Sequence, residues 1–346
     1  MTGGETFIRE VLNQVVAGEH LTREQARQVM DAFMEGKATP AQIGSLLTAL
    51  RIKGETVDEI TGFAETMREK AIRVEVKTDG VLLDTCGTGG DGKNTFNIST
   101  AAAIVAAAGG IRVAKHGNRA MSSKSGSADV LEELGIHIDL APDEAQACLE
   151  RVGLCFMFAQ KYHLSMKHVA GPRRELGFRT VFNFLGPLTN PAGADHQLVG
   201  LFDRERTETI AHVLRELGTK RALVVASEDG LDEISISAPT RISELKDGVI
   251  TTRTITPEEL GLDRYPLSHV TGGDPRRSAE IIRRVFDGEQ GARRNIVLAN
   301  AGACFYVSGK SHTLEEGVQL AAQIIDSGLA REKLQELAGY TEAIGS

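Results

Sequence analysis

From Gly87 to Thr100 the chain reads GTGGDGKNTFNIST and runs on into the alanine-rich AAAIVAAAGG, so a glycine-rich loop follows the strand-like VLLD and opens a helix. Glycines let the backbone approach a ligand closely, and the first turn of a helix aims free N–H groups at an anion. Phosphate binding is the chemistry this pattern implies. Two short templates fit the same run by accident. Gly87, Gly89 and Gly92 satisfy G-x-G-x-x-G, but the next strand ends in Lys115-His116-Gly117-Asn118 where a dinucleotide fold wants an acidic residue for the ribose. Gly87 through Lys93 nearly spells a P-loop, but Asn94 stands where the Mg²⁺-binding Ser or Thr belongs. Asp91 decides against a bare phosphate cradle, because its carboxylate would repel phosphate at short range. It makes sense beside a sugar hydroxyl or a metal-bound water.

A second loop, after IRVAKHG, delivers Lys115, His116, Asn118 and Arg119 and continues through Met121-Ser122-Ser123-Lys124-Ser125-Gly126-Ser127-Ala128-Asp129. Neighbouring parallel strands end about 5 Å apart, so this loop is expected to face the glycine loop across one ligand as an anion clamp. Ser125 or Ser127 would also serve simply as the N-cap of the next helix. Farther along, RALVVASE runs into Asp229-Gly-Leu-Asp232-Glu233, and consecutive carboxylates after a strand suit a hard cation such as Mg²⁺. An acidic surface turn explains the same pair. The segment from Tyr162 to Leu176 reads as a helix that breaks at Gly171-Pro172, with Arg173 free to grip a carboxylate and Arg174 and Glu175 facing solvent. His163 reads as a packed or exposed histidine before a catalyst.

The elements that must position these residues fall into two styles. Up to about residue 72 apolar residues recur at helical spacing (Phe7, Ile8, Val11, Leu12, Val15; Ile43, Leu46, Leu47, Leu50), with starts marked by Thr22 and Gln25, by Thr39-Pro40, and by Thr56 before Asp58-Glu59. From Val81 onward short apolar strands alternate with helices: VLLD, IRVAKHG, LCFMFA, HQLVGLF and RALVVAS. The fold class is therefore α/β, a small all-helical N-terminal domain over residues 1–74 and a large α/β domain over 75–346 with a mostly parallel central sheet. Residues 178–193, with Gly186-Pro187 and Asn190-Pro191, read as turns or a hinge between the two, and helices from about 175–192 join the small domain.

At 346 residues and a formal charge of −8, with basic residues scattered, the chain offers no footprint for a nucleic-acid backbone. No apolar run reaches the roughly 18 to 20 residues of a membrane span, and MTGGETFIREVLNQ lacks the blocks of a signal peptide, so neither nucleic acid nor membrane is expected as a partner and the cytoplasm is the expected compartment. Cys86, Cys148, Cys155 and Cys304 show no C-x-x-C pair and are expected to be reduced thiols.

DTCGTGGD, NIST, KHGNR, the KYH, MKHV and RELGFRT stretch, FNFLGPLTNP and GLDEIS, in this order and over nearly the whole chain, resemble the anthranilate phosphoribosyltransferases. The resemblance implies a nucleoside-phosphorylase-like arrangement, Mg²⁺ with two ions per active site, a homodimer, and transfer of phosphoribose from 5-phosphoribosyl 1-diphosphate to anthranilate, the second step of tryptophan synthesis from chorismate. It implies a sugar-diphosphate site at Gly87, Gly90, Asp91, Thr95, Asn97, Ile98, Ser99, Thr100, Lys115, His116, Gly117, Asn118, Arg119, Ala120, Met121, Ser122, Ser123 and Ser127. It implies metal positions at Ser99, Asp232 and Glu233, and an anthranilate side at Gly87, Asn118 and Arg173. No residue is expected to act as a catalytic nucleophile or base, since positioning and electrostatics suffice. Leu164-Ser165 and Gly171-Pro172 depart from the family's commoner residues, both beside the acceptor site. A pyrimidine-nucleoside phosphorylase is the alternative with the same architecture.

Overall fold

The computed structural model describes residues 3–76, 80–120 and 124–345. Four helices come first: α1 Gly3–Val16, α2 Arg23–Met34, α3 Pro40–Lys53 and α4 Val57–Lys70. Thr22, Thr39 and Thr56 cap the last three, each accepting from the backbone N–H three residues on while Gln25, Gln42 or Glu59 reaches back to the cap. These reciprocal bonds satisfy donors that the first helical turn leaves free.

The α/β part runs β1 Leu82–Gly87, α5 Ile98–Ala108, β2 Arg112–Gly117, α6 Ser127–Glu133, α7 Pro142–Arg151, β3 Leu154–Phe158, α8 Ala159–Tyr162, α9 Lys167–Leu176, α10 Phe182–Leu188, β4 His196–Gly200, α11 Thr207–Glu216, β5 Arg221–Ser227, β6 Thr240–Lys246, β7 Val249–Ile255, α12 Pro275–Phe286, α13 Ala292–Val307, α14 Leu314–Asp326 and α15 Leu329–Gly345. Its strands form a seven-stranded sheet among the described residues, in the order β3-β2-β1-β4-β5-β6-β7. β1 to β5 are parallel, and β6 and β7 continue the sheet antiparallel. That last hairpin is absent from the strands expected above. Its signal was Asp247-Gly248, both at positive φ (52° and 76°), the dipeptide that favours a tight hairpin turn.

Alternation along β4 and β5 divides the core. Leu198, Leu223 and Val225 point to one face, packed with α5 and α13, while Val199, Ala222 and Val224 point to the other. That second face shares one apolar cluster with the first four helices and with Val169, Val181, Phe182, Phe184, Leu185 and Leu188 of the α9–α10 region. Polar pins reinforce the junction: Arg206 grips the Glu55 carboxylate at 2.9 Å and Arg68 donates to the Leu188 carbonyl at 2.6 Å.

Three local expectations differ from the structure. α9 runs through Gly171-Pro172 without breaking, and α10 likewise contains Gly186-Pro187. In both, the residue before proline is glycine, which has no Cβ to clash with the ring, so only one intrahelical donor is lost. Asn190-Pro191 does form a turn. Neither Ser125 nor Ser127 caps α6; Gly126 holds that position, with the Asp129 carboxylate accepting its N–H at 2.9 Å.

Glu59 shows how the helical part is locked. Its fully buried carboxylate accepts from the Leu21 N–H at 2.8 Å, the Thr56 N–H at 2.8 Å and the Lys53 ammonium at 2.9 Å. Glu59→Ala would strand the Leu21 and Thr56 N–H groups and leave the buried Lys53 ammonium without its counter-charge, and is expected to cost about 3–5 kcal/mol in urea unfolding. A loss under about 1 kcal/mol would show that the helical part tolerates these donors unpaired.

Candidate active site

Chain order reverses at β1: β2 and β3 lie on one side and β4 and β5 on the other, so the carboxyl end of β1 is the switch point where open α/β sheets bind ligands. Gly87 ends β1 and pairs with Gly200 at the end of β4. Asp232 crosses directly over both. A Cβ on Gly87 would lie 2.5 Å from the Asp232 carboxylate, and one on Gly200 would lie 1.6 Å from the Asp232 carbonyl oxygen. The Gly89 N–H then donates to the same carboxylate at 2.8 Å. Gly89, Gly90 and Gly92 take positive φ (64°, 71° and 72°), which curls the loop back over the strand end.

Carboxylates outnumber cations here. Asp91 holds the Lys93 N–H with one oxygen at 3.0 Å, and its other oxygen is buried with no partner among the described residues. Burial pushes the Asp232 carboxyl upward, and the Asp91 charge adds to the rise. Burial and Asp232 raise Glu233 as well, against the pull of Lys115 and the Ser99 N–H. The Lys115 ammonium is buried, donating to the Thr85 carbonyl and to the Ser99 hydroxyl at 3.1 Å. It is thus a counter-charge inside the wall and not the outward prong that the loop sequence implied. No group of three His, Cys, Asp or Glu among the described residues forms a ready metal cage. Two carboxylates beside an unpartnered third fit a cation that keeps waters and takes its remaining ligands from a substrate, as Mg²⁺ does.

Beneath the loops, Asp84 joins β1, β2 and the end of α10. It accepts from Asn190 at 2.7 Å and from the His116 N–H at 3.2 Å, while Asn190 also donates to the Ala114 carbonyl at 2.8 Å. Burial pushes the Asp84 carboxyl up to about 6, although Lys115 and these donors oppose it. Cys86, buried beside it, is pushed far up and is no thiolate.

The two loops do face each other. Asn97 and Ser125 exchange bonds at 3.1 and 2.9 Å, and Ser127 donates to the Asn118 carbonyl at 3.3 Å. Gly117 packs so tightly that a Cβ would meet the Ser127 hydroxyl at 2.3 Å. Ile98 and Thr100 are buried at the start of α5, the Thr100 hydroxyl without a partner among the described residues, and Thr95 bridges to Thr271. Arg119 turns away from the site, its guanidinium on Asp129 at 3.0 Å and Glu132 at 2.6 Å, while the Ala120 N–H donates to Asp129 at 2.9 Å. Met121, Ser122 and Ser123 lie outside the described residues.

On the far side, His116 and His163 meet with ring centroids 5.1 Å apart. His116 Nδ1 lies on the Gly186 carbonyl at 3.2 Å and His163 Nε2 on the Thr189 carbonyl at 3.1 Å, which places a proton on each of those nitrogens. The other nitrogen of each ring is buried without a partner among the described residues. Burial holds both rings neutral, His116 down to about 3 and His163 down to about 4. Arg173 stacks on Phe182 at 4.8 Å, and burial lowers its pKa. Arg179 stacks on Phe202 at 4.0 Å and flanks Gly90; it is absent from the residues expected above, and its signal was its place in the RELGFRT motif. Neither guanidinium meets a carboxylate among the described residues.

Family models cover both parts of the chain: "Glycosyl transferase family, helical bundle domain" over residues 9–71 and "Glycosyl transferase family, a/b domain" over residues 79–331. An anthranilate phosphoribosyltransferase of Brevibacillus brevis is 56% identical over 94% of this chain and 95% of its own length. Among solved structures, the anthranilate phosphoribosyltransferase of Thermus thermophilus matches with a TM-score of 0.91 at 45% identity, over 96% of this chain and 99% of that one. The Saccharomyces cerevisiae anthranilate phosphoribosyltransferase in complex with PRPP and Mg matches with a TM-score of 0.89 at 25% identity, over 98% and 99%. With its helical part, its mostly parallel sheet and its glycine loop at the switch point, the chain belongs to the anthranilate phosphoribosyltransferase family.

Proposed function

We propose that this chain transfers the phosphoribosyl group of 5-phosphoribosyl 1-diphosphate to anthranilate, releasing pyrophosphate, as the second step of tryptophan synthesis. The observation that carries the reading is the pairing, at one switch point, of a glycine loop lined by surplus carboxylates with the neutral His116–His163 pair and with Arg179 beside Gly90. The first half suits a cation-bound sugar diphosphate, and the second an aromatic carboxylate.

Gly87, Gly90, Asp91, Thr95, Asn97, Ile98, Ser99 and Thr100 would hold the diphosphate and ribose, with Lys115 to Ser123 and Ser127 opposite. The backbone N–H groups at the start of α5 face the charged end, and Asp91 faces ribose hydroxyls or cation-bound water. Arg119 would contribute through its backbone, since its guanidinium is committed to Asp129 and Glu132. Ser99, Asp232 and Glu233 would hold Mg²⁺, which we read as two ions per site; the yeast relative was solved with PRPP and Mg. When bound, the cation neutralises the departing pyrophosphate.

Gly87, Asn118 and Arg173 form the anthranilate side. The half-buried Arg173 guanidinium, with no acid partner among the described residues, is a ready partner for the substrate carboxylate. The aniline nitrogen is already a neutral nucleophile at pH 7, so the chain has only to hold it against the anomeric carbon and keep water out. No side chain needs to attack: the Cys86 thiol is protonated, and the Lys115 ammonium is engaged by the Thr85 carbonyl and the Ser99 hydroxyl.

The direct test is loss of anthranilate fluorescence on mixing with 5-phosphoribosyl 1-diphosphate and Mg²⁺. Arg173→Ala is expected to raise the KM for anthranilate by tenfold or more, about 1.5–3 kcal/mol for a lost charge-assisted bond, and to leave that for the sugar diphosphate nearly unchanged. Equal rises in both would assign Arg173 to folding. The double change Asp232→Ala with Glu233→Ala should lower kcat and raise the Mg²⁺ needed for half-maximal rate. An unaltered Mg²⁺ requirement would remove these carboxylates from the cation.

We also read the protein as a cytoplasmic homodimer. A cavity of about 650 Å³ between α1 and α3, rimmed by the exposed Val16 and Ile52, is an apolar face that a second copy would cover. Sedimentation of the purified protein at the mass of one chain would overturn the dimer.

A further inference from the structure

Asp232 and Glu233 sit in a stretch, residues 228–239, that is neither helix nor strand. Asp232 reaches the Gly89 N–H at 2.8 Å, and with no helix or strand to fix the backbone a free loop would let the two carboxylates drift apart. Two sets of bonds resist this, one on each side of the pair. On the far side, the buried Asn300 of α13 accepts from the Ile234 N–H and donates to the Ile234 carbonyl, both at 3.0 Å.

On the near side, one oxygen of Asp229 takes the Ser227 hydroxyl and, at 3.3 Å, the Leu231 N–H. Its other oxygen takes the hydroxyls of Ser235 at 2.7 Å and Ser237 at 2.8 Å. Ser227 is the last residue of β5, and its hydroxyl accepts from the Leu231 N–H at 3.0 Å. The Asp229 carboxylate thus ties the strand end, the residue before Asp232 and the two serines after Glu233 into one knot.

We propose that Asp229 is a positioning residue for the cation site: it touches neither substrate nor cation, but its knot holds Asp232 and Glu233 at a fixed spacing above Gly87 and Gly200. The inference rests on the reading of Asp232 and Glu233 as cation ligands. Groups that hold metal ligands in place typically govern affinity by about 10–100-fold.

The experiment is a Mn²⁺ titration of the full-length protein without substrate, followed by the electron paramagnetic resonance of the free ion. Asp229→Ala is expected to raise the Kd for Mn²⁺ about tenfold, with Asp229→Asn, which keeps one acceptor oxygen, in between. In the activity assay, excess Mg²⁺ should restore the turnover of Asp229→Asn, which it could not do for misfolded protein. Ser237→Ala, which removes one half-exposed bond, should shift Mn²⁺ binding less and in the same direction. It decides the matter alone if the Asp229 variants do not fold. Asp232→Asn is the reference. If it weakens Mn²⁺ while the folded Asp229 and Ser237 variants bind as the parent does, the proposal is overturned. If Asp232→Asn itself leaves Mn²⁺ unchanged, the cation reading fails and the proposal goes with it.

Discussion

Asp232 passes over the carboxyl ends of β1 and β4 with no room for a single Cβ beneath it, and most of the site follows from that crossing. Gly87 and Gly200 must be glycine for steric reasons, not for an unusual backbone dihedral. Because the acidic loop can lie flush on the sheet, its carboxylate reaches the Gly89 N–H and becomes part of the glycine loop's own wall. Two segments more than a hundred residues apart thereby become one surface.

That closeness concentrates negative charge where the sheet interior strips away water. Asp84, Asp232 and Glu233 are all pushed upward by burial, and Lys115 is the cation that opposes the rise in Asp84 and Glu233. The ammonium sits under the Ser99 hydroxyl, at the first turn of the helix that follows the glycine loop. The wall is therefore built with an electrostatic deficit that a divalent cation would fill, and the bonds around Asp229 and Asn300 keep that deficit from relaxing away. Around the histidine pair the balance is reversed: two neutral imidazoles and two arginines with no acid partner among the described residues would suit a carboxylate.

The helical part does not have a core of its own. Its apolar faces merge with one face of β4 and β5 through α10 and α11, Arg68 of α4 reaches the end of α10, and Arg206 pins the loop at Glu55 to the α/β part. The chain between Phe182 and Asn190 serves both sides, since α10 packs with the helical cluster while Asn190 is tied to Asp84 in the sheet. These few residues, next to the histidine pair, therefore couple the packing of the helical part to the sheet.

Much of this was legible in the residues themselves. Threonine caps three positions ahead of Gln or Glu, helical spacing of apolar residues, and strands alternating with helices are local consequences of backbone geometry, so they appear in the sequence directly. The glycine loop and the Asp232-Glu233 pair could be picked out for the same reason: their residue types carry the chemistry. Tertiary structure decided what each residue faces. Lys115 turned out to be buried in the wall, Arg119 to turn outward to Asp129 and Glu132, and Arg179 to join the glycine loop from a distant helix connection. α9 and α10 ran through their prolines because glycine precedes each one. Chain spacing carries no information on which loop end meets which across a sheet, because strand order and the pleat set it, and these are fixed only when the whole core packs.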